Sequence, residues 1–201
     1  VKFIQSGRMD HVDEALQLWD KTYEDTYYDW MGLSPNAAEK KNQYPQFWER
    51  GVMDIHPSAG YAHSSDGSLP WVMQEDDYWL DELTNPTTIK RGTSWGTYHE
   101  VGHNYQATRA WSWNDLGETT NNLFIFNAAR KRGVTNRIDF HPALKTAIPG
   151  ALAYAKLTTS KTFSFFPKDF VIEDEFAFAR ITPFLQIFDK VKGAKGESGW
   201  D

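Results

Sequence analysis

The sequence predicts an α+β fold that is mostly helical, with a small mixed β-sheet whose edge strand borders one central helix. Apolar residues recur at three- and four-residue steps over residues 9–30 and again over about 169–191, as on one face of a helix. Between these segments the pattern changes to short apolar runs separated by turns, which read as strands at 52–56, 60–63 and 69–73. Pro70 predicts that the last of these is the edge strand.

Length and composition indicate one globular domain. We interpret the 201 residues as a single unit with a helical and strand part, a central helical part and a C-terminal helical part, at 1–92, 93–133 and 134–192. The net charge of −6 argues against a nucleic-acid partner, and no apolar run is long enough to insert into a membrane. The absence of cysteine excludes disulfides and thiolate metal sites. Because the chain begins at Val1 without a signal peptide, we expect a monomeric piece excised from a larger protein.

The central predicted helix carries a His-Glu-x-x-His pattern from His99 to His103, with Thr93 or Ser94 as its N-cap. Residues four apart lie on one face of a helix, so the two imidazoles can bind one metal ion while Glu100 holds a water beside it. This pattern is typical of zinc peptidases, in which the glutamate is the general base. We therefore predict one catalytic Zn²⁺ with Glu100 as the catalytic residue. The alternative is a helix with one core histidine and one surface histidine.

A catalytic zinc ion needs a third protein ligand and keeps one position open for water. Glu118 precedes a second apolar helical run that could bring it to the metal, although an acidic residue also stabilises a helix start without binding anything. The next histidine after His103 is His141, too far along for a third-histidine pattern. Asn121 and Asn122 follow Glu118, and either could orient a ligand histidine or simply face solvent.

The region around the motif resembles a known family. Residues 95–106 read Trp-Gly-x-x-His-Glu-x-Gly-His-Asn-x-Gln, and residues 116–122 read Leu-Gly-Glu-x-Thr-x-Asn. Together they resemble the enhancin-like, mucin-targeting zinc metallopeptidases, and residues 6–10 and 58–61 extend the likeness more loosely. Gly102 inside the motif is part of this resemblance and would let another element approach the helix closely.

The resemblance implies a zincin-like (gluzincin) catalytic domain from a secreted or cell-surface protein. It implies a zinc endopeptidase that hydrolyses O-glycosylated, mucin-type proteins, with His99, His103 and Glu118 as metal ligands and a zinc-bound water activated by Glu100. Two alternatives stay open. One is a general gluzincin peptidase without a glycan requirement, and the other is a catalytically idle module that binds mucin or glycan.

Further site residues can be named only as candidates, and the sugar contacts among them apply only if the substrate is glycosylated. Candidates for contacts with the substrate or its sugar are Trp71, Trp111, Trp113, Asn114, Tyr105 and Arg180. Candidates to stabilise the developing oxyanion are Tyr105, Tyr154, His141 and Arg180. The remaining histidines of the strand region, His56 and His63, are interpreted as surface or loop residues.

Overall fold

The computed structural model describes residues 10–46, 49–64, 70–106, 110–112, 114–136, 139–161 and 166–201. The weak sequence likeness at residues 6–9 and the start of the third predicted strand at Leu69 lie outside these ranges. The helices of the described residues are, in chain order, α1 (Val12–Thr22), α2 (Asp77–Thr84), α3 (Pro86–Arg91), α4 (Trp95–Tyr105), α5 (Gly117–Thr120), α6 (Leu123–Lys131), α7 (Leu144–Ala155), α8 (Phe176–Arg180) and α9 (Thr182–Lys190). No helix among the described residues is both long and apolar enough to cross a membrane.

Three short strands form a mixed sheet: β1 (Gly51–Asp54), β2 (Ala62–His63) and β3 (Trp71–Gln74). Their order is β1-β3-β2, with β1 parallel and β2 antiparallel to β3. The prediction of a mostly helical α+β fold with a small mixed sheet is therefore confirmed. The predicted edge strand is wrong, because β3 is central and β2 is the edge that packs beside α4. Pro70 is tolerated because it precedes the strand, so the ladder needs no N–H from it.

The central position of β3 also decides the role of Trp71. Its side chain is only 3% exposed, and Met73 on the same face is fully buried. The indole covers Gly51 of β1 so closely that a Cβ atom there would come 2.6 Å from the ring. Trp71 therefore packs in the core and has no free face for a sugar ring, contrary to its suggested role in substrate binding.

The first predicted helix is split. α1 ends at Thr22, and a π-helical turn over Tyr23–Tyr28 continues it. This turn directs tyrosine rings towards α4, where Tyr27 is fully buried and donates a hydrogen bond to the Tyr98 carbonyl at 3.2 Å. The π-helical turn therefore packs aromatic rings against the core-facing side of α4.

The start of α4 is held by α2. Ser94 is the residue before the helix, as predicted, but its side chain makes no capping bond. Instead the buried Glu82 accepts hydrogen bonds from the Thr97 N–H at 3.1 Å and the Thr97 hydroxyl at 2.8 Å. A free N–H of the first turn is thus satisfied by a carboxylate from a neighbouring helix, which fixes the position of α4.

The C-terminal helical segment also departs from one continuous helix. A 3-10 turn over Glu173–Glu175 leads into α8, and α9 begins after Ile181 with Pro183 in its first turn. Proline lacks an N–H donor and is best accommodated at that place, so the chain restarts a helix there instead of kinking one. α8 lies against α5 and α7, which closes the core on the side of the segment that carries Glu118.

Candidate active site

The two histidines of α4 and Glu118 of α5 meet at one point. Glu118 Oε2 lies 3.1 Å from His99 Nε2 and 3.4 Å from His103 Nε2. One ligand atom from each residue lies within 4.8 Å of the other two. Two imidazole nitrogens and one carboxylate oxygen are a donor set that binds a catalytic zinc ion. The group fits a metal ion, and the structure brings Glu118 to the histidines as the sequence suggests.

The charges of this group fit the same role. The imidazoles of His103 and His99 beside it hold the pKa of Glu118 well below its usual range, so its carboxylate is ionised. Burial acts to lower the pKa of His99, but the hydrogen bond to Glu118 and the charge of Glu100 raise it overall. A carboxylate between two imidazoles is the arrangement that a bound cation would stabilise further.

Asn122 orients His99. Its Oδ1 lies 2.9 Å from His99 Nδ1 and accepts a hydrogen bond from Trp95 Nε1 at 2.9 Å, while its Nδ2 donates to the Glu118 carbonyl at 2.7 Å. An amide oxygen can only accept, so His99 carries a proton on Nδ1, and its Nε2, which faces Glu118, is the nitrogen placed to bind a metal ion. Trp95 was not among the predicted site residues, although it precedes His99 by one helical turn.

His103 is oriented by Gln106, a second residue that was not among the predicted site residues. Gln106 Nε2 lies 2.7 Å from His103 Nδ1, and Asn121 Nδ2 lies 3.0 Å from His103 Nε2, so both nitrogens of the ring face an amide nitrogen. A neutral imidazole carries one N–H, so it cannot accept at both nitrogens. Asn121 Nδ2 also donates to the His99 carbonyl, so we turn the amide of Gln106 and assign its oxygen to the side facing Nδ1–H, which leaves Nε2 as the acceptor. The other end of this amide lies against the hydroxyls of Ser112 and Thr120, which can act as donors or acceptors.

Asn121 and Asn122 thus have different positions. Asn122 contacts the histidine nitrogen that faces away from the metal position, which is the contact of a residue that orients a ligand. Asn121 is fully buried, and its Nδ2 contacts the Nε2 of His103 and the His99 carbonyl, at 3.0 Å and 3.4 Å. Its side chain therefore lies at the ligand atoms themselves, where a bound ion would compete for the same nitrogen.

Glu100 lies next to the candidate ligands and is only 7% exposed. Burial raises the pKa of Glu100, although His99 and His103 act in the opposite direction. A raised pKa brings a carboxyl group closer to neutral pH, where a general base is most effective. Its position beside the metal group and its environment both suit the predicted catalytic role.

A cavity of about 570 Å³ opens over this group. The ligands and Glu100 form one wall, and the edge strand β2 with the preceding turn forms the other, through Ala59, Gly60, Ala62, His63 and Ser64. A hydrogen-bonded bridge ties the two walls together, because Asn104 of α4 accepts from Ser64 Oγ at 2.5 Å and donates to Glu49 Oε1 at 2.5 Å. The cavity is a cleft between α4 and the edge strand, and Asn104 links its two sides.

His63 belongs to this cleft and is not a surface or loop residue. It lies on β2, lines the cavity beside Glu100, and its Nε2 is 2.6 Å from Ser58 Oγ. His56 is exposed, as expected. No local sequence signal distinguishes the two histidines, because the pairing of β2 beside α4 is a tertiary contact.

The residues suggested for sugar contacts are not gathered at the cleft. Trp111 is half-buried, and the centroids of its ring and the Phe124 ring are 5.8 Å apart. This contact packs the Trp111 loop against α6. Asn114 is exposed in a 3-10 turn at a φ of 49°, and Trp113 lies outside the described residues. None of the described residues in this set, Trp71 included, lines the cavity over the metal group.

The residues suggested for the oxyanion also lie elsewhere. Tyr105 joins the tyrosine cluster, and its hydroxyl donates to Glu49 at 3.4 Å. Tyr154 is buried against Phe166 in a separate part of the core. Arg180 donates to the Asp115 carbonyl at 3.3 Å. His141 stacks on Phe178 with 4.3 Å between ring centroids and is separated from His99 by Trp95. Among the described residues, none of the four lines the cavity.

Comparison with known proteins agrees with the site. A search of curated proteins returns no match. The family model described as peptidase M60, enhancin and enhancin-like, matches residues 1–176, which include α4, α5 and the whole sheet. Because this match covers most of the chain and contains every residue of the metal group, the chain belongs to the peptidase M60 family of enhancin and enhancin-like proteins.

Proposed function

We propose that this chain is a zinc-dependent endopeptidase with a zincin-like (gluzincin) catalytic domain. The observation that carries the proposal is the convergence of His99, His103 and Glu118 at one point beside Glu100, in a member of a metallopeptidase family. Two nitrogen donors and one oxygen donor favour Zn²⁺, and three protein ligands leave a coordination position open for water or substrate. Asn122 and Gln106 support the same assignment because each presets a histidine for binding through Nε2.

The catalytic chemistry is divided between the ion and Glu100. When bound, zinc would polarise the scissile carbonyl and lower the pKa of a water molecule. Glu100 takes a proton from the attacking water and passes it to the leaving amine. Its low exposure means that few water molecules compete for the carboxylate.

The edge strand supplies a place for an extended substrate. Ala62 pairs with Met73, and the Gln74 N–H donates to the Tyr61 carbonyl at 2.7 Å. In an antiparallel ladder successive residues point their N–H and C=O to opposite sides, so those of Ala62 point away from β3 towards the cleft. We propose that the substrate backbone adds to β2 at Ala62, which would place its scissile bond near Glu100.

The substrate class follows from the family and not from the cleft. We propose O-glycosylated, mucin-type proteins as substrates and a secreted or cell-surface location, both of which rest on the family match. We further propose that residues 1–201 form one monomeric catalytic domain of a larger protein. A general peptidase without a glycan requirement is the second candidate, because the described aromatic residues suggested for sugar stacking lie outside the cavity.

The test compares an O-glycosylated mucin-type substrate with its deglycosylated form, using the wild type, Glu100→Ala and the exposed control Glu173→Ala, with zinc content measured for each. Cleavage of the glycosylated form alone, lost only in Glu100→Ala with zinc retained, would support the proposal. Cleavage of both forms would leave a general peptidase. One equivalent of zinc without any cleavage would indicate an idle binding module, and absence of zinc binding would contradict the proposed metal site.

A further inference from the structure

Tyr61 is an exposed aromatic residue at the mouth of the cleft. It is 75% exposed, the largest value among the exposed apolar and aromatic residues that the structure describes. Its side chain makes no hydrogen bond, ion pair or ring contact with any other described residue. Its two neighbours in the chain, Gly60 and Ala62, both line the cavity over the metal group. Tyr61 therefore presents most of its ring to solvent directly beside the cleft.

Strand pairing fixes the side of the sheet on which this ring stands. Ala62 pairs with Met73, and the Gln74 N–H donates to the Tyr61 carbonyl at 2.7 Å, so Tyr61 continues the ladder opposite Gln74. Successive side chains of a strand point to opposite faces of the sheet. Because Met73 is fully buried in the core, Gln74 and Tyr61 lie on the other face of the sheet.

The main chain of this segment decides what can lie beside the Tyr61 ring. The Tyr61 carbonyl points to β3, whereas the N–H and C=O of Ala62 point towards the cleft. A substrate strand that runs antiparallel to β2 and bonds to Ala62 places its adjoining residue opposite Tyr61, as a non-hydrogen-bonded pair. Such pairs are the closer kind, with about 4.5 Å between their Cα atoms, and both side chains stand on one face of the sheet. One substrate side chain then lies against the Tyr61 ring.

We propose that Tyr61 forms a subsite for one apolar side chain of the substrate and thereby determines sequence specificity at that position. An aromatic residue in a sheet favours an aromatic or β-branched residue opposite it, because their apolar surfaces pack against each other. The metal group and Glu100 act on the peptide group, which is the same in every sequence, so they cannot supply this selectivity. The inference rests on the proposed function, and in particular on the proposed addition of the substrate to β2.

The kinetic test uses peptides that differ at one position at a time around a cleavage site. We expect the wild type to prefer an aromatic or β-branched residue over alanine at one position, by about 2- to 10-fold in kcat/KM. The preference should appear mainly in KM, since the ring contacts the substrate and the transition state alike. Tyr61→Ala should lose the preference at that position only, and Tyr61→Phe should keep it. An unchanged preference in Tyr61→Ala would overturn the proposal.

Two controls separate a specificity role from a structural one. Ile55→Ala removes an apolar side chain that is 65% exposed and does not line the cavity, so it should keep the preference. Tyr61→Ala should match the wild type in zinc content and in free energy of unfolding, because its side chain has no polar or aromatic partner among the described residues. Equal losses on every peptide together with lower stability would make Tyr61 a structural residue and overturn the proposal. A loss confined to substrates that carry a sugar would also overturn it, since the ring would then bind glycan.

Peptide binding distinguishes a failure of this inference from a failure of the proposed peptidase. The same peptides, carrying a fluorescent label, are titrated onto the wild type and Tyr61→Ala. If the wild type cleaves none of them but binds an aromatic or β-branched variant more tightly, and Tyr61→Ala abolishes that difference, the Tyr61 subsite stands while the proposed peptidase function fails. Equal binding of every peptide by both proteins would overturn the subsite.

Discussion

Gly102 of α4 lies against the main chain of Asn121, so that a Cβ atom at position 102 would come 2.6 Å from the Asn121 carbonyl oxygen. The contact lets α4 approach the segment between α5 and α6, and this approach brings Glu118 to the histidines of α4. Helix propensity alone would make alanine better than glycine here by about 1 kcal/mol. Main-chain atoms cannot move aside as a flexible side chain can. The steric cost of a Cβ atom at position 102 therefore outweighs the better helix propensity of alanine.

We therefore expect Gly102→Ala to lower the free energy of unfolding by about 1–3 kcal/mol, the usual cost of overpacking, and to weaken zinc binding. Chemical denaturation and zinc titration against a chelator measure the two effects. Gly117→Ala is a matched control, because nothing lies within 4 Å of the Cβ position there. A Gly102→Ala protein as stable as the wild type would show that the two segments are not in close contact.

Asn122 offers a prediction about zinc affinity. Its Oδ1 contacts His99 Nδ1 and accepts from Trp95 Nε1, so Asn122→Ala frees the ring of His99 and removes the preference for the tautomer that binds through Nε2. We expect zinc affinity to fall about 10- to 100-fold, as for other residues that orient metal ligands. Trp95→Phe removes only the second donor and should have a smaller effect. Unchanged zinc affinity in Asn122→Ala would mean that Asn122 does not preset His99 for binding the metal.

What the sequence could predict depends on how local each feature is. The spacing of His99 and His103 is fixed by the geometry of one helix, so their common face was predictable from the residues alone. Glu118 required a second segment, and its placement came from the family pattern. The coarse fold was predictable for a similar reason, because helical periodicity is repeated over long segments.

The features that escaped prediction are all contacts between distant segments. Ser94 reads as an N-cap, but the buried Glu82 performs that role from α2. Pro70 reads as an edge signal, although β3 is central, since proline at the residue before a strand disturbs nothing. His63 became part of the cleft through the pairing of a two-residue strand, which leaves almost no periodic pattern to detect.

Glu82 predicts a specific dependence of stability on pH. Burial raises the pKa of Glu82. Between the ordinary glutamate pKa and this raised value the folded state binds more protons than the unfolded state, so stability contributed by Glu82 falls as pH rises through that window. Glu82→Gln removes the ionisable group, and with it this dependence of stability on pH. Its amide oxygen can still accept from both Thr97 donors, which share Oε2. We expect Glu82→Gln to be at least as stable as the wild type above the window.

The measurement is the free energy of unfolding of Glu82→Gln minus that of the wild type as a function of pH. The difference should rise with pH, and the exposed Glu173→Gln should give a flat difference. Glu82→Leu should lose about 1–3 kcal/mol at every pH, because both Thr97 donors are then buried without an acceptor. A flat difference for Glu82→Gln would mean that Glu82 titrates as it does in the unfolded chain.

Asn104 predicts an effect on substrate binding that spares the metal. Its side chain joins Ser64, at the end of β2, to Glu49, and it provides no metal ligand. Asn104→Ala removes this bridge between the walls of the cleft, so the proposed substrate-binding edge at Ala62 is held less firmly beside α4. We expect KM to rise several-fold with kcat less affected and zinc content unchanged.

Asn104→Asp should raise KM further, because it puts a second carboxylate beside Glu49. The exposed Asn36→Ala should match the wild type, and a loss of zinc from Asn104→Ala would assign Asn104 to the metal site instead.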